Sequence, residues 1–541
     1  MALPAYFGRN AVAIAQAISG LDEQRLAALL EPVRVGITIG AGARNSEGRA
    51  LTDLLVRLLA RLYPTLMVRS ERGDADAAEA QQLAARINPL IEASGTPTVE
   101  IVVGGSRLTP WAPVRIMAGS SGWVATVSSS HPQACGDGNN PFGAGAAACF
   151  AAANLFRHVF LPDPRLDTDA TFNVFEPGTP GARATMLKGE AGSIVLAGAG
   201  AIGNAAGWAF ARTEMSGHLV VVDPEQLDLG NLQRYVLAEY SDVNASKPDI
   251  LKRYFGAAFT AETFNLDIAS FISAQKEPIS SLLLALDTAR DRRLAQAGLP
   301  AWIANAWTQA GDLGVSTHDF LNGACVRCLY LPEKALANED ALIADAFGVP
   351  QRLMEVRTLL YRNEGVPRAL LEAIASAHEI ALERLLPFEG RPVGSLYREG
   401  FCGGAVIPLA SVGTPRSDVH VPLAHQSALA GVLLAAAAVR HRLSPNEKSE
   451  ITQIDVLGRM PLSPTKPAAK GARGLCICQD EDYREAYRIK FHVGATIAPS
   501  EESPRQQRLE QPKKRAASRR NSRATGRPRS PSRIHKVAQK R

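Results

Sequence analysis

A chain of 541 residues with 46% hydrophobic and 21% charged content has the make-up of a globular protein that buries a large core, and its length implies more than one domain. These proportions exclude a wholly disordered or fibrous chain. No apolar run is long enough to span a bilayer, no signal-peptide pattern opens the chain, and seven cysteines in this length suit a reducing cytoplasm rather than a disulfide framework. The formal net charge of +6 is concentrated at one end: residues 501–541 hold fourteen Lys/Arg and three Asp/Glu, which leaves the rest of the chain at −5.

The first elements alternate between strand and helix. An apolar strand, Val33–Ile39, runs into Gly40-Ala41-Gly42-Ala43, and Ala50–Leu62 has the spacing of an amphipathic helix. Strands are predicted at Thr98–Val103 and Trp123–Ser128, then a small-residue helix from Asn140 to Phe160. His131-Pro132 with Cys135 is a weaker hint of a conjugating-enzyme domain. Cys135 and Cys149 read as structural, the latter on the small-residue helix.

The most informative segment follows. An apolar strand from Ile194 meets Gly198-Ala199-Gly200-Ala201-Ile202-Gly203, a helix comes next, and a second strand, Leu219–Val222, ends in Asp223. This is a nucleotide-binding βαβ pattern. Backbone N–H groups reach phosphate oxygens where no Cβ intervenes, and a helix N-terminus adds favourable partial charge. Gly198, Gly200 and Gly203 also permit tight strand–helix packing, the structural alternative. Asn231, Arg234 and Lys247 follow the acid, where a dehydrogenase would continue with another helix and strand. Cations beside a phosphate-binding turn point to a triphosphate.

In order and spacing these residues resemble the adenylation domain of E1-like enzymes, the ThiF/MoeB and ubiquitin-activating group. That pattern is a glycine turn, an acid-x-acid pair, N-L-x-R, and a lysine thirteen residues after the arginine, as from Arg234 to Lys247. Leu284-Ala285-Leu286-Asp287-Thr288 resembles its strand-end aspartate, Gly323–Pro332 its first zinc knuckle, and Pro422–Val439 its glutamine-led late helix. The resemblance covers roughly residues 185–490 and implies a Rossmann-like ATP site. There Asp223 takes the ribose hydroxyls, Asn231, Arg234 and Lys247 hold the phosphates, and Asp287 positions Mg²⁺. It also implies adenylation of a carboxylate, usually the C-terminus of a ubiquitin-like or sulfur-carrier protein or of a peptide. The step needs no side-chain nucleophile, because positioning and charge stabilisation carry it.

On this reading the fold is α/β in three parts: a degenerate, inactive Rossmann-like domain over 1–180, an adenylation domain over 181–500, and a basic disordered tail over 501–541. The first domain echoes the second, including its alanine-rich helix, but has no counterpart of the Asn–Leu–x–Arg and lysine signature. The expected assembly is a pseudo-dimer within the chain or a homodimer. Residues 333–395 interrupt the resemblance with a helical insert; the segments beginning at Glu339, Gln351 and Arg368 have i, i+3, i+4 apolar spacing. Cys325 and Cys328 have zinc-knuckle spacing, and Cys476 with Cys478 falls where the family places its second pair, as CxC in place of CxxC. Four thiolates there imply structural Zn²⁺, while the CxC spacing leaves open three thiolates with another ligand, or no metal. Cys402, between Phe401 and Gly403, lies where many relatives keep a thioester-forming cysteine; a small buried residue in a glycine turn is the alternative. A conjugating enzyme is the further partner this implies. The tail reads either as loosely attracted to nucleic acid or an acidic partner, or as a plain solvated extension, since it offers no aromatic residue to stack on bases. Competing readings of the whole are an NAD-dependent oxidoreductase built on the glycine turn and a catalytically silent Rossmann scaffold.

Overall fold

The computed structural model describes residues 3–492, apart from 19–20, 22, 162–165, 180–186, 310–311, 332–338, 403–420, 446–447, 459–464 and 473. The basic tail predicted from residue 501 lies outside the described residues.

The first sheet has the order β2-β1-β3-β4-β5-β6, from β1 (Val35–Ile39), β2 (Leu66–Ser70), β3 (Val99–Val103), β4 (Val114–Ser121), β5 (Val124–Ser128) and β6 (Ala170–Asn173). β1 to β4 are parallel, and β5 and β6 add antiparallel. β1 and β3 are buried along their whole length, as strands covered on both faces must be. The predicted helix at Ala50 starts earlier, at Ser46, because the Asn45 side chain accepts from Gly48 N at 2.8 Å and satisfies an end donor; it stops at Leu59.

The second sheet has the order β14-β13-β12-β11-β10-β7-β8-β9. Its strands are β7 (Glu190–Ala197), β8 (Ser216–Val222), β9 (Phe259–Phe264), β10 (Ser281–Leu284), β11 (Trp302–Thr308), β12 (Asp312–Asp319), β13 (Glu450–Asp455) and β14 (Thr465–Pro467). β9, β8, β7, β10 and β11 run parallel, and the remainder antiparallel. Six of these strands, β8-β7-β10-β11-β12-β13, reproduce the first sheet in order and direction. A twenty-residue helix joins the last two strands of each repeat, Pro141–Phe160 in one and Ala424–Leu443 in the other.

One buried apolar cluster runs through both halves. The two long helices each send their seventeenth residue across to the other half. Arg157 donates to the carbonyls of Val456 (3.1 Å) and Gly458 (2.7 Å), just past β13, and Arg440 donates to Phe175 O (3.1 Å), just past β6. Gly145 permits the close approach, since a Cβ there would meet the Trp208 ring at 2.8 Å and Val432 at 3.1 Å. This reciprocal pattern is what two copies related by a two-fold axis would produce.

The insert forms the helices Glu339–Ala346, Leu353–Arg362 and Arg368–His378 around its own apolar cluster. The third is shorter than its apolar spacing suggests, because Glu379 takes a left-handed conformation (φ 53°) and ends it. Among the described residues, no helix is long and apolar enough to cross a membrane.

Candidate active site

The glycine turn lies at the carboxyl end of β7, where a doubly wound sheet opens a crevice. Gly198 has φ 96°, and a Cβ there would sit 2.4 Å from Ala285 O; one at Gly203 would sit 1.9 Å from Gly198 O. These two glycines are therefore required by packing between β7, β10 and the following helix, Ala201–Phe210. Gly200 faces outward, its nearest neighbour the Tyr235 hydroxyl at 3.5 Å. Asp223, 7% exposed, directly follows β8. Its carboxylate accepts from Ala199 N (2.7 Å) and Glu225 N (2.8 Å), which ties the acid to the turn. Burial pushes its carboxyl above the usual range, with Lys247 pulling the other way.

Asn231 lies in the short helical turn Leu229–Gln233, its side-chain oxygen accepting from Asp228 N at 3.1 Å. Its carbonyl receives the N–H groups of Arg234 (3.0 Å) and Tyr235 (3.2 Å), which orients both. Lys247 opens the helix Lys247–Lys252, and its ammonium pairs with the Glu225 carboxylate. Burial opposes the charge on Lys247, but Tyr235, Glu225 and Asp223 outweigh it and raise the ammonium pKa.

Tyr235 is the residue that sequence reasoning missed. Its buried ring lies 5.4 Å from Lys247 Nζ and 5.6 Å from the Arg234 guanidinium carbon, a floor beneath both cations. Adjacency to Arg234 was the only signal. Arg292 was missed as well. Buried behind the strand ends, it donates to Leu286 O, Asn305 Oδ1, Ala306 O (2.9 Å) and the Tyr330 hydroxyl (2.8 Å). That fixes the backbone immediately before Asp287, whose own side chain is exposed. Gly198, Gly200, Gly203, Asp223, Asn231, Arg234, Lys247 and Asp287 thus share one end of the second sheet.

The first sheet keeps part of this arrangement. Ile39 pairs with Ser70 and Val103, as Ala197 pairs with Val222 and Leu284. Glu71 therefore takes the place of Asp223, and Ser106 that of Asp287. Glu71 accepts from Ala41 N (3.1 Å) and Arg107 N (3.2 Å). Between β2 and β3 the chain forms the helix Asp74–Ile87, with no counterpart of Asn231, Arg234 or Lys247.

Cys325, Cys328, Cys476 and Cys478 converge, with all four sulfurs within 4.8 Å of one another. Neighbouring sulfurs lie 3.3, 3.5 and 4.0 Å apart. A tetrahedral Zn²⁺ with Zn–S of about 2.3 Å needs sulfurs about 3.8 Å apart, so the donor set fits that ion despite the CxC spacing. Cys402 ends the turn Leu396–Cys402, and its side chain lies outside the described residues. His425 packs on Phe156 in the core, where burial lowers its pKa to about 3. Cys149 is buried within its helix.

The sequence matches two known families: the ThiF family over residues 179–339 and the prokaryotic E2 family C over residues 40–161. It is 38% identical over 515 residues to the uncharacterized protein y4jF of Sinorhizobium fredii, covering 92% of this chain and 99% of that one. Among solved structures it is similar to Escherichia coli MccB with MccA-N7isoASN, at 13% identity and a TM-score of 0.32 over 52% of this chain. It is also similar to the E. coli tRNA N6-threonylcarbamoyladenosine dehydratase TcdA, at 18% identity and a TM-score of 0.18 over 21%. It spans 66% of the MccB chain and 50% of the TcdA chain. Within the E2-family match, burial pushes the Cys135 thiol up to about 12, unlike a reactive cysteine.

Proposed function

Because this chain belongs to the ThiF family of E1-like adenylyltransferases, we propose that its second sheet carries an ATP site that activates the C-terminal carboxylate of a ubiquitin-like or sulfur-carrier protein or of a peptide. The carboxylate oxygen attacks the α-phosphorus of ATP, the bond to the β-phosphate bridge breaks, and acyl-adenylate and pyrophosphate are formed. The observation that carries this reading is the gathering of Asn231, Arg234 and Lys247 beside the glycine turn, with both cations over one buried tyrosine.

Each group has a task in this scheme. Asp223 accepts from the ribose hydroxyls. Asn231, Arg234 and Lys247 bind phosphate oxygens and stabilise the charge that develops as pyrophosphate departs. Lys247 exchanges Glu225 for phosphate, a swap that keeps the cation compensated in both states. Asp287, exposed at the strand end, is the carboxylate suited to Mg²⁺, which would neutralise phosphate charge. The four clustered cysteines would hold structural Zn²⁺, pinning the helix Glu481–Phe491 to the sheet. A thioester on Cys402 follows if its thiolate attacks the acyl carbon and AMP leaves; a conjugating enzyme would then receive the acyl group.

The repeated topology supports a pseudo-dimer in which 1–180 is the inactive copy, 181–500 the active one, and 501–541 a basic appendage. A cytoplasmic location fits six described cysteines that are all free. Calorimetric titration with ATP–Mg²⁺ and with NAD⁺ tests the proposal: ATP binding that Lys247→Ala abolishes supports it, whereas NAD⁺ binding without ATP binding refutes it.

A further inference from the structure

The helix Ser46–Leu59 and the turn after it belong to the first half of the chain, yet two of their arginines point into the second. Arg61 is fully buried. Its guanidinium donates to the carbonyls of Leu232, Val236 (3.2 Å) and Ala238 (2.6 Å), and no carboxylate is among its hydrogen-bond partners in the described residues. Arg57, 4% exposed, donates to Val236 O at 3.0 Å and pairs with Asp53 at 3.0 Å. Asn10 holds the Arg61 carbonyl at 2.8 Å.

A buried cation hydrogen-bonded to carbonyls alone is uncommon, because desolvation opposes its charge, and Tyr6 and the Glu239 carboxylate offset only part of that cost. The three carbonyls belong to one stretch, Leu232–Ala238, and that stretch contains Arg234 and Tyr235 and follows Asn231 directly. The second half adds hydrogen bonds of its own there, from Gln233 Nε2 to Pro422 O (3.1 Å), from Leu237 N to Asn204 Oδ1 (2.6 Å) and from the Tyr254 hydroxyl to Leu237 O (2.7 Å), but no charged side chain is among these partners. We infer that Arg61, with Arg57 in support, is a positioning residue for the phosphate-binding segment Asn231–Tyr235, so that the first half of the chain sets phosphate affinity in the second. The inference rests on the ATP site proposed above. It assigns the first half a task that needs no ligand of its own.

The test compares ATP–Mg²⁺ with adenosine, both measured by calorimetry on the full chain, for wild type, Arg61→Gln, Arg61→Lys and the double variant Arg61→Gln/Arg234→Ala. Adenosine reports the turn and Asp223, and ATP adds the phosphate groups. Arg61→Gln is expected to weaken ATP at least tenfold and adenosine less than twofold, with Arg61→Lys recovering part of the loss. In the Arg234→Ala background the same change is expected to cost ATP little more, because the positioned group is gone. ATP affinity within twofold of wild type in Arg61→Gln overturns the inference, as does an equal loss for ATP and adenosine. Where Arg61→Gln fails to fold, Arg57→Lys is read by the same comparison, with a smaller loss confined to ATP expected and an equal or absent loss overturning it. A wild-type chain that binds no ATP sinks the proposed ATP site itself and is read before any variant.

Discussion

Removing Lys247 tests the proposed chemistry most directly, and its size can be worked from the site. The ammonium is 6% exposed and ion-paired to Glu225, which is 52% exposed. Against a phosphate oxygen at about 4 Å, in surroundings of effective dielectric near 20, a unit charge gains about 4 kcal/mol. Binding costs the existing pair with Glu225, and a pair with so exposed a partner is worth about 0–1 kcal/mol. The difference, about 3 kcal/mol, corresponds to roughly a hundredfold in Kd. Lys247→Ala is therefore expected to weaken ATP–Mg²⁺ about a hundredfold in calorimetry while near-UV circular dichroism stays unchanged. Glu225→Gln should move the other way, freeing the ammonium and tightening ATP. A Lys247→Ala chain that keeps its fold and binds ATP within threefold of wild type would refute the assignment.

Other consequences follow from the buried groups. Chelation, or Cys478→Ser, should lower the thermal midpoint by several degrees and raise hydrogen exchange in Glu481–Phe491, since Tyr487 and Phe491 pack on the cysteine cluster; unchanged exchange there would argue that the thiols bind no metal. Burial lowers the pKa of His425 to about 3 and of His318 to about 4, so both stay neutral in the fold. Below about pH 6.5 the unfolded chain takes up these protons and the folded one does not. Stability should then fall as pH drops from about 6.5 towards 4, by about 3 kcal/mol for His425, and His425→Phe should flatten that slope in urea titrations at pH 7 and pH 5. Cys135 should resist iodoacetamide at pH 8 when labelling is read residue by residue by mass spectrometry, because burial has pushed its thiol up to about 12; rapid labelling would restore it as a candidate acyl acceptor.

The glycine turn, Asp223, Asn231, Arg234 and Lys247 are legible in sequence because the segment that carries them is contiguous and its spacing is set by local geometry. Gly198 and Gly203 show the limit of that reading. Their presence is dictated by packing distances, so the structural alternative is true of them, and only Gly200 faces the site. The cysteine cluster shows another limit. CxC spacing leaves the ligand set open in sequence, and a single helical turn at Ile477–Gln479 brings Cys476 and Cys478 to the same point as the earlier pair. Arg57 and Arg61 were out of reach for a different reason. Their partners lie 171 to 179 positions along the chain, and an arginine on an apolar helix face gives no local sign of which backbone it will meet.

The two sheets repeat one topology but treat the acid that follows the second strand differently. In the second half, both donors to Asp223 lie on or near its own strand and the turn beside it. In the first half the acid at the same place is Glu71, one methylene longer, and it reaches Ala41 N on one side and Arg107 N on the other. That carboxylate joins the turn after β1 to the loop after β3, and the helix Asp74–Ile87 occupies the sequence position that Asn231, Arg234 and Lys247 hold in the second half. At the far end of the helix between β1 and β2, Arg57 and Arg61 donate to backbone carbonyls of Leu232, Val236 and Ala238 in the second half. The segment Leu232–Ala238 is thus held in part from outside its own sheet, so a change at Arg61 is felt in the second half.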